Sequence, residues 1–191
     1  ITCNDGLVYA FDPAVTALLV IDMQRDFLDP RGMCAVEGED LTQMRTLIPR
    51  IGRLLAAARG AGLAIFHTRE GYAPDLSDVS PLKRSRSSVG TSGPLGRFLI
   101  RGEAGHDFVA ELKPHPGETV IDKPGFGAFY RTDLEQRLRA SGITHLVLAG
   151  VTTQCCVLSS LREAVDRGFF CLTLEDACAA IRRFLAEQTA G

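Results

Sequence analysis

Long apolar runs are missing from this 191-residue chain. None approaches the roughly 18 residues that a membrane span needs, so a membrane is not expected as a partner. Net charge is nearly missing as well. It is −2 at pH 7, which gives no electrostatic ground for binding nucleic acid or an anionic surface. The N-terminus, ITCNDGLVYAF, has no basic stretch leading into an apolar one, so it does not read as a signal peptide. It also lacks an initiating Met, so the natural chain is expected to begin earlier. There are six cysteines, yet they form no C-x-x-C pair and no Cys/His zinc spacing. Without a secretion signal, this pattern predicts reduced thiols and a cytoplasmic location. No internal repeat and no low-complexity tract occurs. What remains is an ordinary globular composition, 46% hydrophobic, at a length that favours one domain, residues 1–191, with a full core.

Three stretches carry the chemistry. In HLVLAG-VTTQCCV, a hydrophobic run from His145 to Gly150 leads into Cys156. A helix-like segment, Cys156 to Gly168, follows. The cysteine is thus expected on the first turn of a helix, at the carboxyl edge of a sheet. Free amides and the helix dipole favour a thiolate there. TALLVIDMQRDFLD, Thr16 to Asp29, reads as a buried strand ending in Asp22. ETVIDKPGFGAF, Glu118 to Phe129, reads as a short strand ending in Asp122 and Lys123. In a parallel sheet these ends gather on one edge. All four histidines lie outside the three stretches, so Asp22 is a better base for Cys156 than an imidazole.

The rest of the chain alternates strand and helix. Strand 17–21 is followed by a helix over 41–59, whose apolar positions Leu47, Ile51, Leu54, Leu55 and Ala58 recur at helical spacing. Strand 63–68 precedes a long irregular stretch, 69–105, in which the charges from Lys83 to Arg86 read as an exposed loop. Helix 107–112, strand 119–121, helix 132–140, strand 145–148, helix 156–167 and strand 170–174 follow. This order predicts a single three-layer α/β/α domain with a mostly parallel central sheet, Rossmann-like in build. Glu175 and Asp176 end the last strand, and IRRFLAEQ begins almost at once. A missing loop is therefore expected between Ala180 and Ile181.

IDMQRDF, IDKPGFGAF and GVTTQCCV together resemble the three signatures of the isochorismatase-like cysteine hydrolases. The resemblance runs from Thr16 to about Asp176. It implies that Asp22 is the catalytic aspartate, Lys123 the catalytic lysine and Cys156 the nucleophile, since Cys156 stands directly before Val157. Cys155 then fills a variable position and reads as a core residue. The resemblance also implies a non-proline cis peptide at Val151–Thr152 and an oxyanion hole built from the amides of Thr152 and Cys156. HTREGYAPDLSD and RGEAGHDFVAEL look most like the biuret hydrolase branch. Biuret hydrolases have a histidine where this chain has Tyr72, and a lysine where it has Phe126. Both changes are expected to remove a polar contact from the pocket rim. The metal-binding nicotinamidases carry Asp-x-His where this chain reads Glu70-Gly71-Tyr72, so no metal and no cofactor is expected.

The resemblance implies cleavage of a C–N amide bond in a small carbamoyl or ureido compound, biuret-like, through a thioester with release of ammonia. Phe27, Phe126 and Phe129 would wall the pocket, while Arg69 and Glu70 would bind the substrate. A homo-oligomer, dimer or tetramer, is expected. The alternatives are a nicotinamidase-like or other small-amide hydrolase of the same fold, or a noncatalytic binding protein that keeps the fold.

Overall fold

Six consecutive buried residues, TALLVI, form the central strand β1 (Thr16–Ile21). A strand apolar at every position is covered on both faces. The computed structural model describes residues 6, 9 and 11–181. After β1 come two short helices, α1 (Arg25–Leu28) and α2 (Met33–Val36), and the long helix α3 (Thr42–Gly60). Then follow β2 (Ala64–Glu70), α4 (Pro81–Arg86), a small hairpin of β3 (Ser92–Gly93) and β4 (Gly96–Arg97), and β5 (Thr119–Lys123). The order ends with α5 (Leu134–Ala140), β6 (His145–Val151), α6 (Leu158–Asp166) and β7 (Phe170–Ala179). The main sheet runs β5-β2-β1-β6-β7, and every pairing in it is parallel.

The alternation of β1 sends its residues to two cores. Leu18 and Val20 pack with Met44, Leu47, Ile51 and Leu55 of α3. Leu19 and Ile21 pack with Leu134 and Leu138 of α5 and Ala164 of α6. Each such side chain contributes roughly 1.5–3 kcal/mol by leaving water. The result is the expected three-layer α/β/α arrangement. No described helix is long and apolar enough to cross a membrane.

Local departures from the expected elements have physical causes. The stretch 69–105 is not all irregular, because it contains the end of β2, α4 and the β3–β4 hairpin. Ser80 caps α4 by accepting the Lys83 amide hydrogen, and Pro81 occupies its first turn. The helix expected over 107–112 is only a 3₁₀ turn at Ala110–Leu112. The helix expected from Cys156 starts earlier, as a π turn over Thr153–Val157 that runs into α6. β7 does not stop at Glu175 and Asp176. It bulges away from β6 between Thr173 and Cys178, then pairs again through Ala179. The segment beyond Ile181, where IRRFLAEQ continues, lies outside the described residues.

Candidate active site

The strand order reverses direction at β1. The chain moves outward through β2 and β5, then returns to the other side of β1 with β6. Such a switch point opens a crevice at the carboxyl ends of the strands, where α/β proteins hold ligands. Four side chains meet there. Asp22 directly follows β1, Glu70 ends β2, Lys123 ends β5, and Cys156 lies in the π turn after β6. The register places Glu70 opposite Lys123 and Ile21 opposite Gly150.

The backbone is specialised at both sides of the switch point. Asp22 has φ 53, in the left-handed region that aspartate tolerates better than most residues. Its amide donates to the Thr68 carbonyl at 3.2 Å. Gly150 has φ 128, and a Cβ there would lie 2.1 Å from the Ile21 carbonyl oxygen. Only glycine lets β6 approach β1 this closely. The Val151–Thr152 peptide is cis. In the π turn, the Val157 amide donates to the Thr152 carbonyl. The Cys156 amide precedes that bond, among the amides a helix start leaves without an intrahelical acceptor. π turns inside helices recur at functional sites.

Lys123 is the hub of the charges. It is fully buried, and its ammonium lies 2.8 Å from Asp22 Oδ2 and 4.0 Å from Glu70 Oε2. It also donates to the Gly125 carbonyl at 2.8 Å. Thr68 Oγ1 donates to Asp22 Oδ1 at 2.6 Å. The Cys156 thiol donates to Glu70 Oε2 at 3.5 Å. The other Glu70 oxygen, Oε1, accepts from Tyr72 Oη at 3.0 Å and is ion-paired with Lys83. The Gln24 side chain fixes the backbone beneath, donating to the Glu70 carbonyl and accepting from the Glu70 amide.

These neighbours set the protonation states. Burial pushes the Cys156 thiol well above its ordinary value; Asp22 and Glu70 add to this, and Lys123 opposes it. This upward push runs against the thiolate expected from a helix start alone. Burial also raises Asp22, against the pull of Lys123. For Glu70, burial acts upward, but the ammoniums of Lys83 and Lys123 outweigh it and hold the carboxyl below its usual range. For Lys123, burial acts downward, and the charges of Asp22, Cys156 and Glu70 outweigh it to raise its pKa. The two carboxyls are thus driven apart, the pattern of an acid–base pair.

Asp22, Glu70 and Cys156 each offer an atom within 4.8 Å of the others, a spacing that would suit a metal ion. The Lys123 ammonium already neutralises Asp22 there, so a cation would have to displace it. The donor set fits an internal ammonium better than a metal.

Not every expected binding residue reaches this place. Successive strand residues point to opposite faces, and Arg69 leaves Glu70 for the other side. It forms a two-bond ion pair with Asp122 and lies over the Phe108 ring. On that side His67 pairs with Glu118 at 2.9 Å. Phe126 is 39% exposed and carries the Lys83 ammonium 4.1 Å above its ring. Phe129 belongs to the same buried cluster as Cys155 and Cys156, while Phe27 packs in the other core with Tyr72.

Two expectations about the rim are corrected. Tyr72 is buried, and it supplies a hydroxyl to Glu70 rather than removing a polar contact. At Phe126, Lys83 brings a charge back over the ring. Lys83 itself is no loose surface charge; α4 directs it inward. Sequence reading missed Lys83, Thr68 and Gln24, and the only local signal for the first was the Ser80-Pro81 helix start.

A separate groove of about 590 Å³ is lined by Arg25, Asp29, Arg31, Asp107 and Lys113 among others. Its charges are paired among themselves, as in Arg25–Asp29 and Lys113–Asp107, and it holds no nucleophile.

Comparison with known proteins identifies the family. Residues 16–190 match the isochorismatase domain. A cysteine hydrolase from Pseudomonas syringae pv. phaseolicola is 27% identical, with 91% of this chain and 76% of that chain covered and a TM-score of 0.80. An isochorismatase family protein from Desulfovibrio vulgaris is 29% identical over 92% of this chain and 87% of that one, with a TM-score of 0.75. N-carbamoylsarcosine amidase from Thermoplasma acidophilum is 26% identical over 86% of this chain and 84% of that one, with a TM-score of 0.70. With the domain matched from β1 onward and the same sheet shared with these structures, the chain belongs to the isochorismatase family of hydrolases.

Proposed function

We propose that the protein is a cysteine-dependent amidohydrolase that cleaves a C–N bond of a small carbamoyl or ureido compound, biuret-like, and releases ammonia. The observation that carries this reading is the buried set of Asp22, Lys123 and Cys156, with a second carboxylate, Glu70, on the thiol. A noncatalytic binding protein has no use for a nucleophile placed between an acid and a buried ammonium. The carbamoyl substrate of the Thermoplasma neighbour supports the substrate class.

The reaction runs in two halves. Asp22 takes the Cys156 proton as the sulfur bonds to the substrate carbonyl carbon. The carbonyl electron pair moves to oxygen, which the amides of Thr152 and Cys156 hold; such a donor typically contributes about 3–4 kcal/mol. The pair returns, the C–N bond breaks, and Asp22 gives its proton to the departing amine, leaving a thioester. Water then attacks the thioester, losing its proton to Asp22, and the sulfur leaves as the thiol by taking that proton back. Lys123 keeps its charge throughout and stabilises the Asp22 carboxylate and the transient thiolate. Glu70 accepts N–H groups of the substrate. No metal or cofactor takes part in this scheme. The acting form is a homo-oligomer, dimer or tetramer, and it works in the cytoplasm.

The test is ammonia release from a panel of ureas, carbamoyl amino acids and nicotinamide. Cys156→Ser abolishes release from the preferred compound, while Cys155→Ser keeps most of it. Equal losses in both variants would place the nucleophile wrongly. Preference for nicotinamide would move the protein to the nicotinamidase-like reading.

A further inference from the structure

Lys83 is the charged member of the site network that a helix supplies. α4, which carries it, buries none of its own residues. The side chain is 19% exposed, whereas that of its partner Glu70 is 3% exposed and that of Lys123 is fully buried. Lys83 is therefore where the network meets solvent. Its ammonium pairs with Glu70 Oε1 and lies 4.1 Å from the Phe126 ring centroid and 5.4 Å from that of Tyr72. Two aromatic faces hold a cation without taking all its hydrogen bonds. Glu70 Oε2 meanwhile faces the thiol at 3.5 Å. The thiol and the Lys83 ammonium thus share one carboxylate, one on each oxygen.

We propose that Lys83 is a specificity-determining residue. Its ammonium leaves Glu70 Oε1 for an acceptor oxygen beside the scissile carbonyl, and Glu70 then takes a substrate N–H. This deepens the amidohydrolase reading and rests on Cys156 being its nucleophile. The exchange suits substrates with a second C=O, or a carboxylate, next to an N–H: acylureas and N-carbamoyl acids. A plain carboxamide with an apolar remainder supplies an N–H for Glu70 but no second acceptor oxygen for Lys83. Entry of such a compound leaves the Lys83 ammonium unpaired once Glu70 takes the N–H, the situation that gives hydrogen-bonding sites their strong discrimination. Tyr72 Oη stays on Glu70 during the exchange and keeps the carboxylate in place.

The test reads the thiol directly and needs no substrate. Cys156 is alkylated with iodoacetate and with iodoacetamide, reagents of similar size of which one carries a carboxylate. Modification is followed by mass spectrometry, with glutathione as the free-thiol reference. The reagents probe the acceptor half of the exchange: the wild type favours iodoacetate over iodoacetamide at least about tenfold more than a protein without the Lys83 charge does, as one hydrogen bond between charged groups implies. Lys83→Met loses that preference and Lys83→Arg keeps it. Because α4 buries nothing, Lys83→Met folds, which circular dichroism checks. Faster reaction of Lys83→Met with both reagents, in an unchanged ratio, would make Lys83 a mere plug and overturn the proposal. If neither reagent modifies Cys156 in either protein, the proposal and the reactive thiol fall together. If the preference follows Lys83 but no ureido compound releases ammonia, the assignment of Lys83 stands and the amidohydrolase reading falls.

Discussion

At the scale of single residues, the thiol has two carboxylates as neighbours. The resting hydrogen bond goes to Glu70, yet Asp22 is the better base. Lys83 and Lys123 hold Glu70 acidic, whereas burial lifts Asp22 and brings its basicity closer to the thiol's. Asp22→Asn is therefore expected to slow acylation by at least about 10²-fold, measured as pre-steady-state ammonia release. Glu70→Gln is expected to raise KM more than it lowers the acylation rate. The reverse pattern would make Glu70 the base. The same cluster makes a second prediction. Since Lys123 neutralises Asp22 from 2.8 Å, activity is expected to survive exhaustive treatment with EDTA and phenanthroline. Loss of activity that zinc or iron restores would show that a metal takes the ammonium's place. The convergence of Asp22, Lys123 and Cys156 is legible because each stands at or shortly after a strand end within a recognisable stretch. Lys83 is not, because its contact with Glu70 depends on where the six-residue α4 comes to lie, a tertiary fact that local charge does not report. Arg69 and Glu70 are adjacent in sequence, but strand alternation separates them by a full face.

At the scale of elements, β1 and β6 fit together closely at Gly150. The hydrophobic runs of both strands were plain in the sequence, and so was the apolar stripe of α3. The π turn was not, since its residues TTQCCV fit the start of an ordinary helix equally well. Nor was the bulge in β7, which depends on pairing with β6. Gly150 is where the two central strands touch most closely. Gly150→Ala is expected to cost about 3 kcal/mol or more, because the added carbon would meet the Ile21 backbone and no flexible side chain can yield. Chemical denaturation measures this. A loss below about 1 kcal/mol would mean that the strands separate more easily than their packing implies.

At the scale of the whole molecule, acid is expected to unfold the protein through its buried histidines. His106 is almost completely buried, and burial, followed by the Arg69 charge, pulls its pKa down to about 4 from 6.5. His67 is lowered too, chiefly by burial. The folded state then binds fewer protons than the unfolded state below pH 6.5. The stability these residues contribute is complete above that value and is lost as pH falls toward 4. The melting temperature is expected to drop across this window, and to drop less in His106→Gln. Equal drops in variant and wild type would assign the acid sensitivity elsewhere.

The pairing of β1 with β6, Thr16 opposite His145, also bears on when the protein becomes able to react. Most of the chain must be synthesised before the two strands can meet, and contacts so distant along the chain form late and slowly. On the ribosome Asp22 emerges long before Cys156 exists. The nascent chain therefore carries the acid well before the thiol, and the two can meet only once β6 has paired with β1.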